Sequence, residues 1–548
     1  MAASGYFNPK EQFKHVFTNP LTPLSFLKRS ELVFPEKVAV VDKDKTYTWR
    51  EFAKRVYRFA SALKAQGVKK NDRVAIMSKN NAEFITALYG VGYAGGVSVL
   101  VNYRCDAKEL AYILNHSGSR IAIIDDAFVD LTRQAQSNLT ETKYFIDVPD
   151  PEYKGEPLGI SFEDFLNKGS DASLDVPVTD ELDMLSMVYT SGTTGMPKGC
   201  VHTHRGSYLN ALGEAIEMQL HPNSAYLWTL PMFHCQGWGF VWAVTAVGAK
   251  HVCLEAVRPE AIYKLVEKEG VTTMCGAPTV YLTIANYMKD NKLTFSKSIK
   301  GFIGGAAPSP AIIRDSENIN ISLTQVYGLT EVYGPHTLCE WNTEWDVLPL
   351  EERAKLKARQ GVPYVTCTRV KVVDDNMDEV PHDGQTSGEI VMQGNNVMMW
   401  YFNEADKTDE AFAGGWFHSG DGAVIHPNGY IEIVDRIKDL IITGGENVSS
   451  LEVEKVIMEN PAVADVAVYA KPDEKWGEIV KALIQLKPNA ALTSDEITKW
   501  CKDRLSKFKV PREVEFGEVK RTSTGKVQKN LLKKKEIEKM QQLSKKIS

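Results

Sequence analysis

The amino-acid sequence predicts an α/β protein in two units. Residues 1–435 are expected to form a large N-terminal domain of two α/β layers plus a small β-barrel, and residues 436–548 a small mobile α+β C-terminal domain. Three observations carry this. At 548 residues the chain is several times the roughly 100–200 residues of one domain, and 43% hydrophobic content can fill large cores. Helix-period and strand-period patterns alternate over much of the chain, as they do where helices connect parallel strands. Later the spacing tightens into short strands parted by Gly and Asp turns, ahead of a compact remainder.

In chain order, Trp49–Gln66 reads as helix, Arg73–Met77 as strand, Ala82–Gly90 as helix, Val97–Val101 as strand, Lys108–His116 as helix and Ile121–Ile124 as strand. The Asp/Pro-rich stretch from Asp147 to Asp180 interrupts the rhythm. It resumes with apolar runs at Met184–Tyr189, Tyr226–Leu230, His251–Leu254, Thr272–Cys275, Gly301–Ile303 and Leu323–Tyr327, enough for a second sheet. Arg369–Val373 and Glu389–Met392 are the short strands assigned to the barrel. Beyond Asp435 come helix-like Leu451–Glu459 and Ser494–Leu505 and the strands Val463–Tyr469 and Lys481–Leu486. A hinge is expected near Arg436–Lys438, with Lys438 as the pivot. The Lys-rich tail from Lys533 is expected as a solvated helix face.

Lys+Arg 64 against Asp+Glu 70 gives a net charge of −6, so no global basic field draws the chain to nucleic acid or to an anionic membrane, and a small-molecule partner is expected. The eight cysteines have no C-x-x-C pair or framework spacing, which fits reduced thiols in the cytoplasm. Neither end carries a readable secretory or peroxisomal address. Phe84 to Val101 holds 18 residues without a charge, the lower limit for a membrane span, but Gly90, Gly92, Gly95 and Gly96 break it into a buried helix, a turn and a buried strand. The assembly is left open to a homodimer.

The strongest chemical signal is Tyr189-Thr190-Ser191-Gly192-Thr193-Thr194-Gly195-Met196-Pro197-Lys198-Gly199, directly after the apolar run Met184–Val188. Glycines let backbone N–H groups turn toward an anion, hydroxyls add donors, and a lysine supplies a point charge: a phosphate loop. Gly195 stands three residues before Lys198, so the loop is not the G-x-x-x-x-G-K-[ST] of P-loop kinases. Other patterns carry less. Gly90-Val91-Gly92-Tyr93-Ala94-Gly95 follows a helix and precedes a strand, the reverse of a dinucleotide fingerprint. His202-Thr203-His204 has no third ligand at metal spacing, so surface or loop histidines are expected rather than zinc. No G-x-S-x-G occurs to support a hydrolase serine.

The phosphate loop resembles that of the adenylate-forming superfamily of acyl-CoA synthetases, nonribosomal adenylation domains and luciferases. Further motifs match in the same order. The resemblance implies that Gly304-Gly305-Ala306-Ala307-Pro308 lines the adenine. In Tyr327-Gly328-Leu329-Thr330-Glu331 it implies that the tyrosine stacks on adenine, Thr330 meets the α-phosphate and Glu331 holds Mg²⁺. It further implies that Asp421 of Trp416-Phe417-His418-Ser419-Gly420-Asp421 and Arg436 of Asp435-Arg436-Ile437-Lys438 hold the ribose, and that Lys526, ending Arg521-Thr522-Ser523-Thr524-Gly525-Lys526, is the catalytic lysine. Two residues depart from the pattern. Lys520 stands where the family usually has proline, and Ile442 where some relatives carry a second catalytic lysine.

The activity so implied is ATP-dependent conversion of a carboxylic acid to its adenylate, followed by transfer to coenzyme A, with ATP and coenzyme A as co-substrates. Transfer to a carrier-protein thiol or another nucleophile is the alternative. In Pro231-Met232-Phe233-His234, amino-acid-activating relatives would place an aspartate at His234, so His234 is expected to gate the acyl pocket. Acetyl-specific relatives close that pocket with tryptophan where Gly328 stands. A short-to-medium-chain, hydroxy- or aryl-carboxylic acid larger than acetate is therefore expected, with Trp238 and Tyr333 beside it, and Gly328→Trp is expected to restore a preference for acetate. A catalytically silent homologue would lack Lys198, Glu331 or Lys526, and all three are present.

Overall fold

A computed structural model describes residues 16, 18–190, 196–306, 308–367, 369–444, 446–473, 475–521 and 527–547, with only the backbone at residues 447 and 540–547. Two large sheets dominate it. The seven-stranded sheet has the spatial order Ile160–Ser161, Tyr144–Val148, Ile121–Asp125, Arg73–Met77, Val97–Leu100, Met184–Tyr189, Gly199–Thr203, parallel except for the last pair. The nine-stranded sheet runs Val362–Pro363, Gly334–Leu338, Ile321–Leu329, Ile299–Ile303, Thr273–Gly276, Ala225–Leu227, Lys250–Val252, Val38–Asp42, Lys45–Thr48. Its middle strands are parallel and buried, as expected of apolar runs covered on both faces.

The expected barrel takes the form of a four-stranded antiparallel sheet, Arg369–Val373, Gly388–Gln393, Phe417–Ile425 and Ile431–Arg436. Among the described residues its two edge strands do not pair with each other. The edge at Ile431 is taken by Gly361 instead, with Ile431 N donating to Gly361 O at 2.8 Å and Gly361 N returning the bond at 3.1 Å.

Residues from Ile441 onward build a five-stranded sheet of Glu446–Val448, Ile441–Thr443, Gly477–Leu486 and Val463–Asp473, with Glu513–Phe516 parallel to Gly477–Leu486. Ile441, Val453, Ile457, Val466, Val480 and Ile484 form an apolar cluster of their own there.

Two expectations about helices need correction. Helix Ala82–Ala94 runs through Gly90 and Gly92 instead of ending at the first glycine, and the turn falls at Gly95, φ 87°. The glycines serve close packing: an added Cβ would lie 2.6 Å from Phe59 Cδ1 at Gly90 and 2.7 Å from Leu24 Cδ2 at Gly92. The basic tail is helix Lys529–Ile547, and it is docked as well as solvated. Buried Lys529 pairs with Glu454 at 2.8 Å, and buried Glu536 with Lys481 at 3.0 Å. No described helix is long and apolar enough to cross a membrane.

His202 and His204 are 2% and 5% exposed, not surface or loop residues, because Gly199–Thr203 is a buried edge strand laid against Met184–Tyr189. No group of metal-ligating side chains forms around them among the described residues. Burial holds His202 and His251 down to about 3, and His204 and His336 down to about 4. The bonds of His251 agree with a neutral ring: Trp228 Nε1 donates to its Nδ1 at 3.2 Å, and its Nε2 lies 3.1 Å from Thr245 Oγ1, whose own proton goes to Val241 O.

The unfolded chain binds these protons near 6.5 and the folded chain only near 3–4, so between those limits the unfolded state holds more protons and stability falls as pH falls. Each histidine contributes about 1.4 kcal/mol per pH unit in that window. Asp42, raised to about 6 by burial, and Glu214 and Asp125, also raised by burial, act in the opposite sense and offset part of the loss. The urea midpoint should be higher at pH 7 than at pH 5, by the surplus of the histidine contribution over that of the carboxylates. Imidazole NMR signals of these four rings titrating near 6.5 in the folded protein would mean that they are not held neutral.

Candidate functional site

Register brings the first cluster together. In the antiparallel pair Phe417–Ile425 and Ile431–Arg436, Asp421 lies directly opposite Arg436, and Asp421 Oδ1 meets Arg436 Nε at 3.2 Å. Tyr327, near the end of strand Ile321–Leu329 in the nine-stranded sheet, donates its hydroxyl to Asp421 Oδ2 at 2.7 Å. The Tyr327 hydroxyl is held well above its usual range, first by burial and then by the Asp421 charge. Residues 94 apart in sequence thus join two sheets. The carboxylate has about four lone-pair sites, and these two bonds leave acceptor capacity for a diol.

The second cluster is built on the phosphate loop. That loop joins two antiparallel strands, with Tyr189 paired to Gly199, and Thr190 N donates to Lys198 O at 2.9 Å across its base. Loop residues Ser191, Gly192, Thr193, Thr194 and Gly195, together with Ala307 and Lys526, lie outside the described residues. The segment Met399–Phe402 runs along the far side of Gly199–Val201, through Met399 N to Val201 O at 2.9 Å and Phe402 N to Gly199 O at 2.8 Å. This alignment sets Tyr401 beside the loop. Lys198 Nζ stands 3.8 Å from the centre of the Tyr401 ring, and the Tyr401 hydroxyl donates to Glu331 Oε1 at 2.9 Å. Glu331 is anchored further by its backbone oxygen, which accepts from Met398 N at 2.7 Å.

Tyr401 was missed from sequence because Trp400-Tyr401-Phe402 reads as core, and Tyr401 is indeed only 3% exposed. A buried phenol between a lysine and a carboxylate keeps the opposite charges from collapsing into an ion pair. Glu331 is half-buried and the phenol occupies one of its oxygens. A carboxylate so held suits Mg²⁺, which commonly takes one or two carboxylates together with substrate phosphates. Tyr401→Phe keeps the ring under Lys198 and removes only the bond to Glu331. It should raise the Mg²⁺ requirement for ATP turnover by about 10-fold, consistent with the ~1.5 kcal/mol of a hydrogen bond to a charged group. An unchanged Mg²⁺ dependence would show that the phenol does not hold Glu331 in place.

Thr330 opens the short turn Thr330–Val332, one residue before Glu331. Gly305, at φ 82°, and Ala306 are exposed and half-buried at the end of Ile299–Ile303. A cleft of about 380 Å³ is lined by Glu389, Ser419, Gly420, Arg436, Ile437 and Lys438, so Arg436 and the expected pivot share one wall.

On the expected acyl side, His234 is half-buried at the start of Cys235–Trp238, and Trp238 is 5% exposed. Tyr333 is fully buried. Its hydroxyl accepts from Trp242 Nε1 at 2.8 Å and its ring meets His202 at 4.6 Å, which makes it part of the packed layer under the site. Gly328 does not present open space. It sits at a register shift in the pair with Gly334–Leu338, where an added Cβ would overlap the Gly334 carbonyl oxygen. The expectation that Gly328→Trp would swap chain-length preference by filling a pocket therefore changes. Even Gly328→Ala should displace the bulge between Tyr327 and Glu331, lowering kcat/KM for every acid by about 10-fold or more while their order stays the same. A changed order with full activity on acetate would return Gly328 to the pocket wall.

Family comparison covers most of the chain. Residues 27–402 match the family described as AMP-binding enzyme, and residues 452–526 match the AMP-binding enzyme C-terminal domain. The chain is 50% identical over 517 residues to 4-hydroxybutyrate–CoA ligase 2 of Metallosphaera sedula, covering 94% of each chain. It is 40% identical to a peroxisomal acetate/butyrate–CoA ligase of Arabidopsis thaliana, again covering 94% of each. Among solved structures, o-succinylbenzoate CoA synthetase from Bacillus subtilis in complex with its acyl-adenylate superposes with a TM-score of 0.80 at 25% identity, covering 93% of this chain and 97% of that one. The chain therefore belongs to the AMP-binding enzyme family and is an AMP-forming acid–thiol ligase.

Proposed function

We propose that the two clusters are the nucleotide side of one adenylation site and that the acid is a short carboxylic acid larger than acetate. The observation that carries the proposal is Tyr401 between Lys198 and Glu331, where Glu331 stands in the turn that directly follows the strand of Tyr327, itself bonded to Asp421. The relatives named for 4-hydroxybutyrate and for acetate/butyrate support a short acid.

In the first half-reaction the acid's carboxylate attacks the α-phosphorus of ATP and pyrophosphate leaves. Two anions must meet, so fixed cations and donors have to neutralise charge as it builds. Lys198 leaves the Tyr401 ring for the β- and γ-phosphates, Thr330 donates to the α-phosphate, and Asp421 accepts from the ribose hydroxyls with Arg436 beside it. Mg²⁺, when bound at Glu331, supplies Lewis-acid charge at the phosphates. Lys526 closes on the same phosphates. In the second half-reaction the thiolate of coenzyme A attacks the acyl carbon and AMP leaves, with His234 bordering the path.

The division at Asp435 and Arg436, with Lys438 as pivot, belongs to the same proposal, and the separate apolar cluster from Ile441 to Val510 supports it. We place the enzyme in the cytoplasm, in keeping with eight cysteines that are all free thiols. The test is pyrophosphate release across a series of carboxylic acids with and without coenzyme A. Faster release with C3 or larger acids than with acetate, and thioester only with coenzyme A, is expected. Release without any thioester would move the acceptor elsewhere.

A further inference from the structure

From Cys235 to Gly239 five successive residues are left-handed, at φ 51°, 49°, 58°, 57° and 83°. Only two of them are glycines, and the others hold a conformation that costs roughly 1 kcal/mol or more each, so the surrounding packing must impose it. The contacts that impose it are clear. Gly239 N donates to Cys235 O at 2.8 Å, and Asn210 Nδ2 donates to Trp238 O at 3.0 Å. Trp238 fills the space beside two glycines: an added Cβ would come 3.0 Å from the indole at Gly304 and 3.0 Å from Trp238 Cβ at Gly334. The segment is therefore clamped between the loop that begins at Gly304 and the strand that follows Thr330–Val332.

Within this clamped segment stands Gln236, fully buried, and among the described residues neither its Oε1 nor its Nε2 has a hydrogen-bond partner. Asn210, bonded to the same segment through its nitrogen, leaves its Oδ1 unpaired as well. Buried polar groups are nearly always paired, and leaving one unpaired is costly. A protein that strains its backbone to set a carboxamide there gains nothing from it unless something brought to the site completes the bonds.

We infer that Gln236 is a specificity-determining residue that reads a hydroxyl on the acyl tail, so that the substrate class is a hydroxy acid with its hydroxyl remote from the carboxylate. The inference rests on the adenylation reading above, and the chemistry narrows the ligand. A hydrocarbon tail would leave both ends of the carboxamide unpaired. A second carboxylate would satisfy only Nε2–H, whereas an alcohol donates to Oε1 and accepts from Nε2–H. A site that bonds a substrate hydroxyl rejects the analogue lacking it far more strongly than an apolar pocket rejects one methylene.

The experiment compares kcat/KM for two near-isosteric pairs, 4-hydroxybutanoate against pentanoate and 3-hydroxypropanoate against butanoate, in the wild type and in Gln236→Met. In the wild type at least one hydroxy acid is expected to exceed its partner by 10-fold or more. In Gln236→Met that ratio should fall at least 10-fold, with turnover of the plain acid kept or improved. Equal turnover within both wild-type pairs, as when the carboxamide binds only water, overturns the inference and leaves the adenylation reading intact. An unchanged ratio in the variant assigns the selection to another residue and overturns it too. Should Gln236→Met fail to fold, Gln236→Glu, which keeps size but loses the N–H donor, decides by the same ratio. No pyrophosphate release with any acid would overturn both readings.

Discussion

Lys526→Ala is expected to lower acid-dependent pyrophosphate release by about 10³-fold, while thioester formation from synthetic acyl adenylate and coenzyme A stays within about threefold of wild type. The size follows from removing one preorganised charge at a transition state, commonly 10²–10³ in rate. The asymmetry follows from position. Lys526 belongs to the small C-terminal unit, which would have to close on ATP for the first step and turn away for the second. The base of its loop is clamped: Arg521 bridges Val527 across the loop and pairs with Asp465, Nε to Oδ2 at 2.7 Å. The two half-reactions are measured separately. Equal loss in both would remove Lys526 from a role confined to adenylation.

Lys438→Pro should do the reverse, leaving pyrophosphate release within about threefold and lowering acyl-CoA output by about 100-fold. Lys438 lies in the turn Ile437–Asp439, between the last strand of the four-stranded sheet and Ile441–Thr443 of the five-stranded sheet. Proline would fix φ there and remove a donor, which would hinder a rotation between the two units if Lys438 is its pivot. The contacts that such a rotation would have to remake are specific. Ser449 Oγ donates to Val434 O at 2.6 Å, Ser450 N and Oγ both donate to Asp435 Oδ2 at 2.5 and 2.6 Å, and Lys529 Nζ bonds Ser450 Oγ at 2.5 Å. If both activities fall together, the pivot lies elsewhere in the junction.

Much of the architecture was legible without coordinates. Arg73–Met77, Met184–Tyr189 and Arg369–Val373 were placed to the residue, because short apolar runs bounded by Gly, Pro and Asp have few other solutions. Helix Ala82–Ala94 was cut short, since a glycine that serves helix packing looks, in one dimension, like a glycine that ends a helix. His202 and His204 looked solvated because polarity was visible and burial was not.

By itself the sequence determined the chemistry on offer: hydroxyls, glycines and Lys198 in one loop, Glu331 after Thr330, Asp421 and Arg436 in separate motifs, and Lys526 near the end. Residue type and short spacing decide what a segment can bind, and both are written in the chain. Tertiary structure alone decided the pairings. It set Asp421 opposite Arg436 by strand register, brought Tyr327 to them from another sheet, slid Tyr401 between Lys198 and Glu331, and turned Gly328 from a pocket wall into a point of backbone contact. It also left the Gln236 carboxamide buried and unpaired. The physical reason is that a bond of about 3 Å between residues 70 or 94 positions apart depends on how sheets pack and register, which no local pattern encodes.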